Sequence, residues 1–390
     1  MHFQGKGTIV KRTATVLGTS LAAVVVACVL MLACMAVPAH AATDPSYTYK
    51  NGVYIVTPGT SASANGDLLQ ELVSKGTKKK TVNIKLKKGT YDFYRLDIGS
   101  GVNLKAKGCK MIGFLKRTKI AKKYNGQCNI TITGGTWSDG SSNGYDASLL
   151  QFVHGKNIKL KNMKVKCNYE GHSMEFIACK NVKVIGCTVK GIGTYSSTSN
   201  EEQIQFDVAT KTTAPTLTKK EWDGVGCKNI VVKKCKVRGC RGVCFNQSKA
   251  NLKSKNSHKN ITVAGCKLTG KTAEALCIFN THGTVVVRGN TITTKAPTSR
   301  DSYSVGLNIQ LTATIATSKL AASTITIKNN KVKGGRQAIN SATHVASSYL
   351  YKQISVTGNT CYCKNGASSA IYVVKPAKKV TISGNKTYSW

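Results

Sequence analysis

Apolar and polar positions alternate along this chain in short bursts, not in helical stripes. One pattern recurs: Asn, apolar, x, apolar, x, x, Asn or Cys, x, apolar. It reads Asn157-Ile158-Lys159-Leu160-Lys161-Asn162-Met163-Lys164-Val165 and returns as Asn181-Val182-Lys183-Val184-Ile185-Gly186-Cys187-Thr188-Val189. Copies begin at Asn229 and Asn260, later ones run from Val285, Ile325, Ile354 and Val380, and a degenerate one starts at Asn129. Alternation at period two marks strands. The turn residue falls at 135, 163, 187, 235, 266, 290, 330, 359 and 385, mostly 24 to 31 residues apart. That spacing suits one coil of a β-solenoid.

A second strand follows each turn, as in Leu150-Gln151-Phe152, Met174-Glu175-Phe176, Ile204-Gln205-Phe206, Val243-Cys244-Phe245, Leu276-Cys277-Ile278 and Leu307-Asn308-Ile309. The flanking apolar residues point inward and the middle one outward. The turn position carries Cys187, Cys235, Cys266, Asn290, Asn330, Asn359 and Asn385. Coils stacked at about 4.8 Å would let the Asn side chains bond from turn to turn, with the Cys as small buried filler. The pattern predicts an all-β, single-domain, right-handed parallel β-helix of about nine turns. Asp67 to Val73 reads as a short helix capping its N-terminal end. Val82 to Tyr91 and Val102 to Met111 read as the first coils.

The first residues read as an address. Lys6, Lys11 and Arg12 precede an apolar run from Leu21 to Val37, and Ala39-His40-Ala41 is a small-x-small cleavage site. The expected division is a signal peptide over 1–41, a lead-in over 42–65 and the β-helix over 66–390. The mature chain would be secreted or extracellular, associated with the cell wall or free of it, with no span after signal removal.

Charge changes the picture most. The chain has 57 Lys and Arg against 16 Asp and Glu, a formal +41. Removing the three signal-peptide cations leaves +38. Such a field attracts polyanions. An outward column after the turn holds Lys110, Lys164, Lys236, Lys267, Lys331 and Lys386, with Lys166, Lys190, Arg238 and Lys333 beside it. A polyanion lying along this stripe and a merely solvated face are both open. Fifteen cysteines, thirteen of them beyond the signal, fit no disulfide scaffold. A bridge between Cys244 and Cys277, on consecutive coils, stays open.

The capping helix, the Lys88-Gly89-Thr90-Tyr91 turn, the Asn-apolar-x-apolar repeats and the Asn stack together resemble the pectate lyase and pectin lyase superfamily over roughly residues 50 to 390. The resemblance implies the fold. It does not choose among that superfamily's polysaccharide lyases, glycoside hydrolases, epimerases, tailspikes and adhesins. Gly171-His172-Ser173-Met174-Glu175 and Glu202-Gln203-Ile204-Gln205-Phe206-Asp207 look like segments of secreted β-helix proteins of Gram-positive bacteria. The polygalacturonase pattern is absent: no Asn-Thr-Asp, paired Asp-Asp, Gly-His-Gly or Arg-Ile-Lys stands here, and no Asp-rich calcium cluster is evident.

Seven of the sixteen carboxylates fall between 170 and 223: Glu170, Glu175, Glu201, Glu202, Asp207, Glu221 and Asp223. Glu175 and Asp207 would face outward one coil and one pleat repeat apart, about 8 Å between Cα atoms. That range suits an inverting acid–base pair. His172 enters the same strand as a proton donor or substrate contact. Gln205, Glu202, Gln151, Asn246, Asn308, Gln310 and Arg241 are candidate sugar contacts, walled by loops Gly191–Asn200 and Thr210–Asp223. No zinc spacing, phosphate loop or flavin fingerprint is present, so no metal and no cofactor are expected. Nor are stacking aromatics organised for a specific nucleic acid. The expected function is a carbohydrate-active β-helix, a monomer, that engages an anionic polysaccharide (a uronan, a sulfated glycan or a teichoic acid), with its cleavage by elimination or hydrolysis left open. The alternative is a non-catalytic glycan-binding protein or adhesin.

Overall fold

The structure is a computed structural model that describes residues 43–140, 148–167, 171–191, 201–246, 257–312, 315, 317–343, 350–374 and 377–390, without the side chains of residues 246 and 300–302. Each repeat of the pattern becomes one coil of a right-handed parallel β-helix. The Asn-apolar-x-apolar segments, such as Lys156–Lys161, Lys180–Ile185 and Lys228–Lys233, pair coil on coil in a sheet of 13 strands. The first, Ser46–Lys50, runs antiparallel to Val53–Thr57, and the other pairings are parallel. The remaining two strands of each coil join a second, 19-stranded sheet.

Alternation explains the core. In Lys156–Lys161, Ile158 and Leu160 are buried while Lys159 and Lys161 stay exposed. On the second strand Phe152, Phe176, Phe206 and Phe245 stack inside, their centroids 5.3, 4.9 and 4.5 Å apart. Ridges of like residues arise because the strands stay in register: Phe152 pairs with Phe176, Phe176 with Phe206 and Phe206 with Phe245.

The N-terminal helix, α1, spans Ala62–Ser74, starting before the Asp67 that apolar periodicity marks. Ser61 caps it, accepting from the Ala64 N–H at 3.3 Å. The amide of Asn65 ties its first turn to Gly59 and Ser61, which offsets the weak helix propensity of Asn65-Gly66. Leu69, Leu72 and Val73 close the first coils against Phe93 and Leu96. A Cβ on Gly66 would sit 3.3 Å from Phe93 Cβ, so glycine lets the helix lie close.

Two side-chain ladders run along the stack, each over part of its length. The leading Asn of the repeat takes the left-handed conformation at Asn129, Asn157, Asn181, Asn229 and Asn260, φ 55–58°. Asn tolerates that region better than branched residues do. Each of these amides donates to the previous one at 2.9 Å, ending at Asn129. The second ladder is inside. Cys187, Cys235, Cys266, Asn290, Asn330 and Asn359 are buried at the turn, as the column reading expects. Asn330 Nδ2 donates to Val287 O and Asn359 Oδ1, and its Oδ1 accepts from Asn290 N and Nδ2. All thirteen described cysteines are buried free thiols, Cys244 and Cys277 included.

Asn330→Ala would strand several buried partners at once, each costing about 1–3 kcal/mol. Urea unfolding should show a loss of about 2–4 kcal/mol. Asn157→Gly, which keeps the left-handed turn on the exposed ladder, should cost less than about 1 kcal/mol. Equal losses would contradict the division into an internal and an external ladder.

Candidate functional site

The outer face of Ser148–Val153, His172–Ile177, Glu202–Asp207 and the strands after them carries the candidate residues. Register places Gln151, Glu175, Gln205, Cys244, Cys277, Asn308 and Asn340 in one column. Asp207 stands in the next, opposite Ile177 and Asn246. The side chain of Asn246, the residues 192–200 of one expected wall, and Glu170 lie outside the described residues.

The column points away from the core yet is not open to water. Glu175 is 4 % exposed and Asp207 0 %. Gln151, Gln205, Asn308 and Asn340 are buried too, while Gln310 is half-buried. One wall is the loop 209–225, whose Ala209, Ala214 and Leu217 pack on Val153 and Ile177 in a second small core, with Trp222 and Val225 against it. Glu221 anchors this loop: its Oε2 accepts from Arg117 Nη2 at 2.7 Å and from the N–H and hydroxyl of Thr218. Alternation gives the direction of these side chains but not the loop that folds over them.

Glu175 Oε2 accepts from Ser148 Oγ at 2.6 Å and from Gln151 Nε2 at 2.8 Å. Asp207 Oδ1 accepts from Gln205 Nε2 at 2.9 Å, whereas its Oδ2 is buried with no hydrogen-bond partner. Burial, then the charge of Glu175, pushes the Asp207 carboxyl well above the usual carboxylate range. Glu202 and Cys244 add to this, and the Gln205 bond opposes it. Asp207 therefore holds a proton where an ordinary aspartate has lost it.

A second cluster lies in the neighbouring column. Glu202 pairs in register with Arg241, and Arg241 Nη1 donates to Glu202 Oε1. Arg241 Nε and Nη2 donate to Glu274 Oε2 at 3.0 and 2.9 Å. Glu274 Oε1 accepts from Asn308 Nδ2, and Asn308 Oδ1 from Asn340 Nδ2. His172 Nδ1 lies 2.8 Å from Glu202 O. Much of the hydrogen-bonding capacity of Arg241, Glu202 and Asn308, expected to face sugar, is thus spent inside the protein. Glu274 is absent from the sequence reading. Its signal was its place two residues before Leu276, matching Arg241 two before Val243.

The face opens at its N-terminal end into a basic pocket of about 370 Å³. Arg95, Lys116, Arg117, Lys119, Gln151 and Thr216 line it. Gln151 links this pocket to Glu175.

The stripe lies on the strands after the turn. Lys110, Thr136, Lys164, Thr188, Lys236, Lys267, Thr291, Lys331, Thr360 and Lys386 form one continuous column. Each of its lysines is exposed. Lys166, Lys190, Arg238, Thr269, Thr293 and Lys333 form the column beside it. Among the described residues no helix is long and apolar enough to cross a membrane.

The sequence matches no protein-family model and no curated protein. Two solved structures of PfbA, a surface adhesin of Streptococcus pneumoniae, are similar in fold. One is 14 % identical with a TM-score of 0.55, over 77 % of this chain and 75 % of that one. The other is 12 % identical with a TM-score of 0.52, over 80 % and 83 %. A polygalacturonase from Erwinia carotovora aligns over 89 % and 98 % at 13 % identity, TM-score 0.48. The chain thus has the pectin-lyase type of parallel β-helix expected from its repeats.

The raised pKa of Asp207 has a sign that can be checked. Between the ordinary aspartate pKa and the folded value the native state keeps a proton that the unfolded chain releases, so stability falls as pH rises through that window. Each unit of difference costs about 1.4 kcal/mol. Asp207→Asn should therefore be more stable than the wild type in urea at pH 8, with the gap closing toward pH 4. An advantage over the wild type that is no larger at pH 8 than at pH 4 would sink this account.

Proposed function

We propose that the chain is a secreted β-helix protein that engages an anionic polysaccharide along its lysine column, with a leader over residues 1–41 removed on export. The observation that carries this is the single column in register that holds exposed Lys164, Lys236, Lys267 and Lys331, with Thr188 and Thr291 between them, on a chain with formal charge +41. Lysine supplies point charges on flexible stems, which suits diffuse attraction to carboxylates, sulfates or phosphodiesters better than forked recognition. The fold is also that of the adhesin PfbA.

Replacing those four lysines with Gln should weaken binding of polygalacturonate or heparin roughly tenfold or more at low salt, at a few tenths to 1 kcal/mol per lost contact. The dependence of log affinity on log salt should flatten at the same time. Binding by the wild type that ignores salt would end the polyanion reading.

One observation favours a second reading, in which the polysaccharide is also cleaved. The Asp207 carboxyl is buried with its Oδ2 unpaired, and burial with the neighbouring Glu175 raises its proton affinity, the direction a general acid needs, while the basic pocket adjoins Glu175 through Gln151. Cleavage needs both carboxyls to become accessible to a sugar, because Glu175 is 4 % exposed and Asp207 0 %. Release of reducing ends or unsaturated uronates from polygalacturonate, alginate or hyaluronan, abolished in Glu175→Gln and Asp207→Asn, would establish it. Binding without turnover on all three leaves the protein a binder.

A further inference from the structure

The columns of the basic face change character on the last two coils. Lys333 pairs in register with Tyr362, and Tyr362 with Tyr388. Their ring centroids lie 5.2 Å apart at 22°. Cys361 and Cys363 of the same strand point inward and are fully buried. By alternation Tyr362 and Lys364 point outward, as do Tyr388 and Trp390 one coil on. These aromatics therefore add nothing to the core. Tyr388 is 43 % exposed and Trp390 45 %.

Cations gather over them. Lys333 Nζ lies 5.0 Å from the Tyr362 centroid and 4.7 Å from that of Trp390. Lys331 Nζ is 5.5 Å from Tyr362 and Lys364 Nζ 5.2 Å from Trp390. Such contacts hold each ammonium near a ring face without neutralising it, so both the charge and an apolar surface remain on offer. The result is a platform of aromatic rings and lysines that continues the lysine column.

Resting on the reading of that column as a polyanion track, we propose that Tyr388 and Trp390, with Lys333 and Lys364, form a subsite that holds one acidic sugar ring. The C–H face of a pyranose carries slight positive charge and matches the negative face of an aromatic ring. Its carboxylate or sulfate then meets the lysines. A single-stranded nucleic acid fits less well. Its successive bases need several free ring faces, whereas Tyr362 is already stacked against Tyr388. One sugar ring needs only one platform.

The test uses the full chain without its leader and four short probes: tetragalacturonate, a heparin tetrasaccharide, galactotetraose and tetrathymidylate. The other two tryptophans are Trp137, buried, and Trp222, half-buried. An acidic tetrasaccharide should therefore shift tryptophan emission saturably through Trp390, and Trp390→Phe should abolish the shift. Calorimetry should show binding at least fivefold weaker in Tyr388→Ala and Trp390→Ala, and unchanged in Tyr94→Ala, which removes an exposed tyrosine elsewhere. Equal binding of galactotetraose or tetrathymidylate would overturn the assignment, as would Tyr388→Ala and Trp390→Ala variants that bind the acidic sugars normally. A chain that still binds long polygalacturonate while those variants are silent keeps the proposed function and loses only this subsite. A chain that binds neither polymer nor tetrasaccharide loses both.

Discussion

Everything in this molecule depends on coils staying in register. A parallel stack has no hairpins to fix its alignment, and slipping one residue would turn every inward side chain outward. The side-chain ladders prevent this. Each internal Asn at the turn bonds both to the coil before it and to the coil after it, so slippage by one residue would leave buried amides unpaired. Where Cys replaces Asn the restraint is weaker, a thiol accepting a single backbone N–H, as between Cys266 and Cys235. The outer Asn ladder runs beside those thiol coils, from Asn129 to Asn260, and the amides take over inside from Asn290. The two ladders are complementary in extent, so nearly every coil is pinned by at least one row of amides.

Register also makes the surface. Because each column repeats one side-chain position coil after coil, a preference at that position becomes a line running along the molecule. Lysine at the first residue after the turn becomes a stripe. Glutamate, glutamine and asparagine at the middle of the next strand become a buried polar row. The same rule brings Glu202, Arg241 and Glu274 together from residues 72 positions apart in sequence. A buried ion cluster of this kind contributes more to placement than to net stability, since desolvation offsets much of its attraction.

The fold was legible because it is periodic. Inward and outward positions, the internal Asn and Cys column, and the lysine column could all be read by laying copies of the pattern under one another. What lay outside the period was not. The helix α1 begins at Ala62 because Ser61 and the Asn65 amide supply caps that apolar spacing does not report. Glu274 went unread because the strand pattern was aligned on its apolar triplet, and the residue sits just before it. The burial of Glu175 and Asp207 was invisible for a deeper reason. Period two gives a side chain's direction relative to its own strand. Whether a loop then covers it depends on contacts such as Arg117 with Glu221, which lie 104 residues apart.

That cover bears on how the acidic row and the basic stripe relate. A solvated carboxylate row on so basic a protein would pair with lysine and lose its distinct chemistry. Burial instead separates the two: the row bonds to Ser148, Gln151, Gln205 and Arg241, and its column lies on different strands from the exposed lysines. The raised proton affinity of Asp207 follows from that burial, then from the charge of Glu175 beside it. The lysines of the stripe therefore stand exposed to solvent, while Glu175 and Asp207 are buried on other strands, linked through Gln151 to the basic pocket.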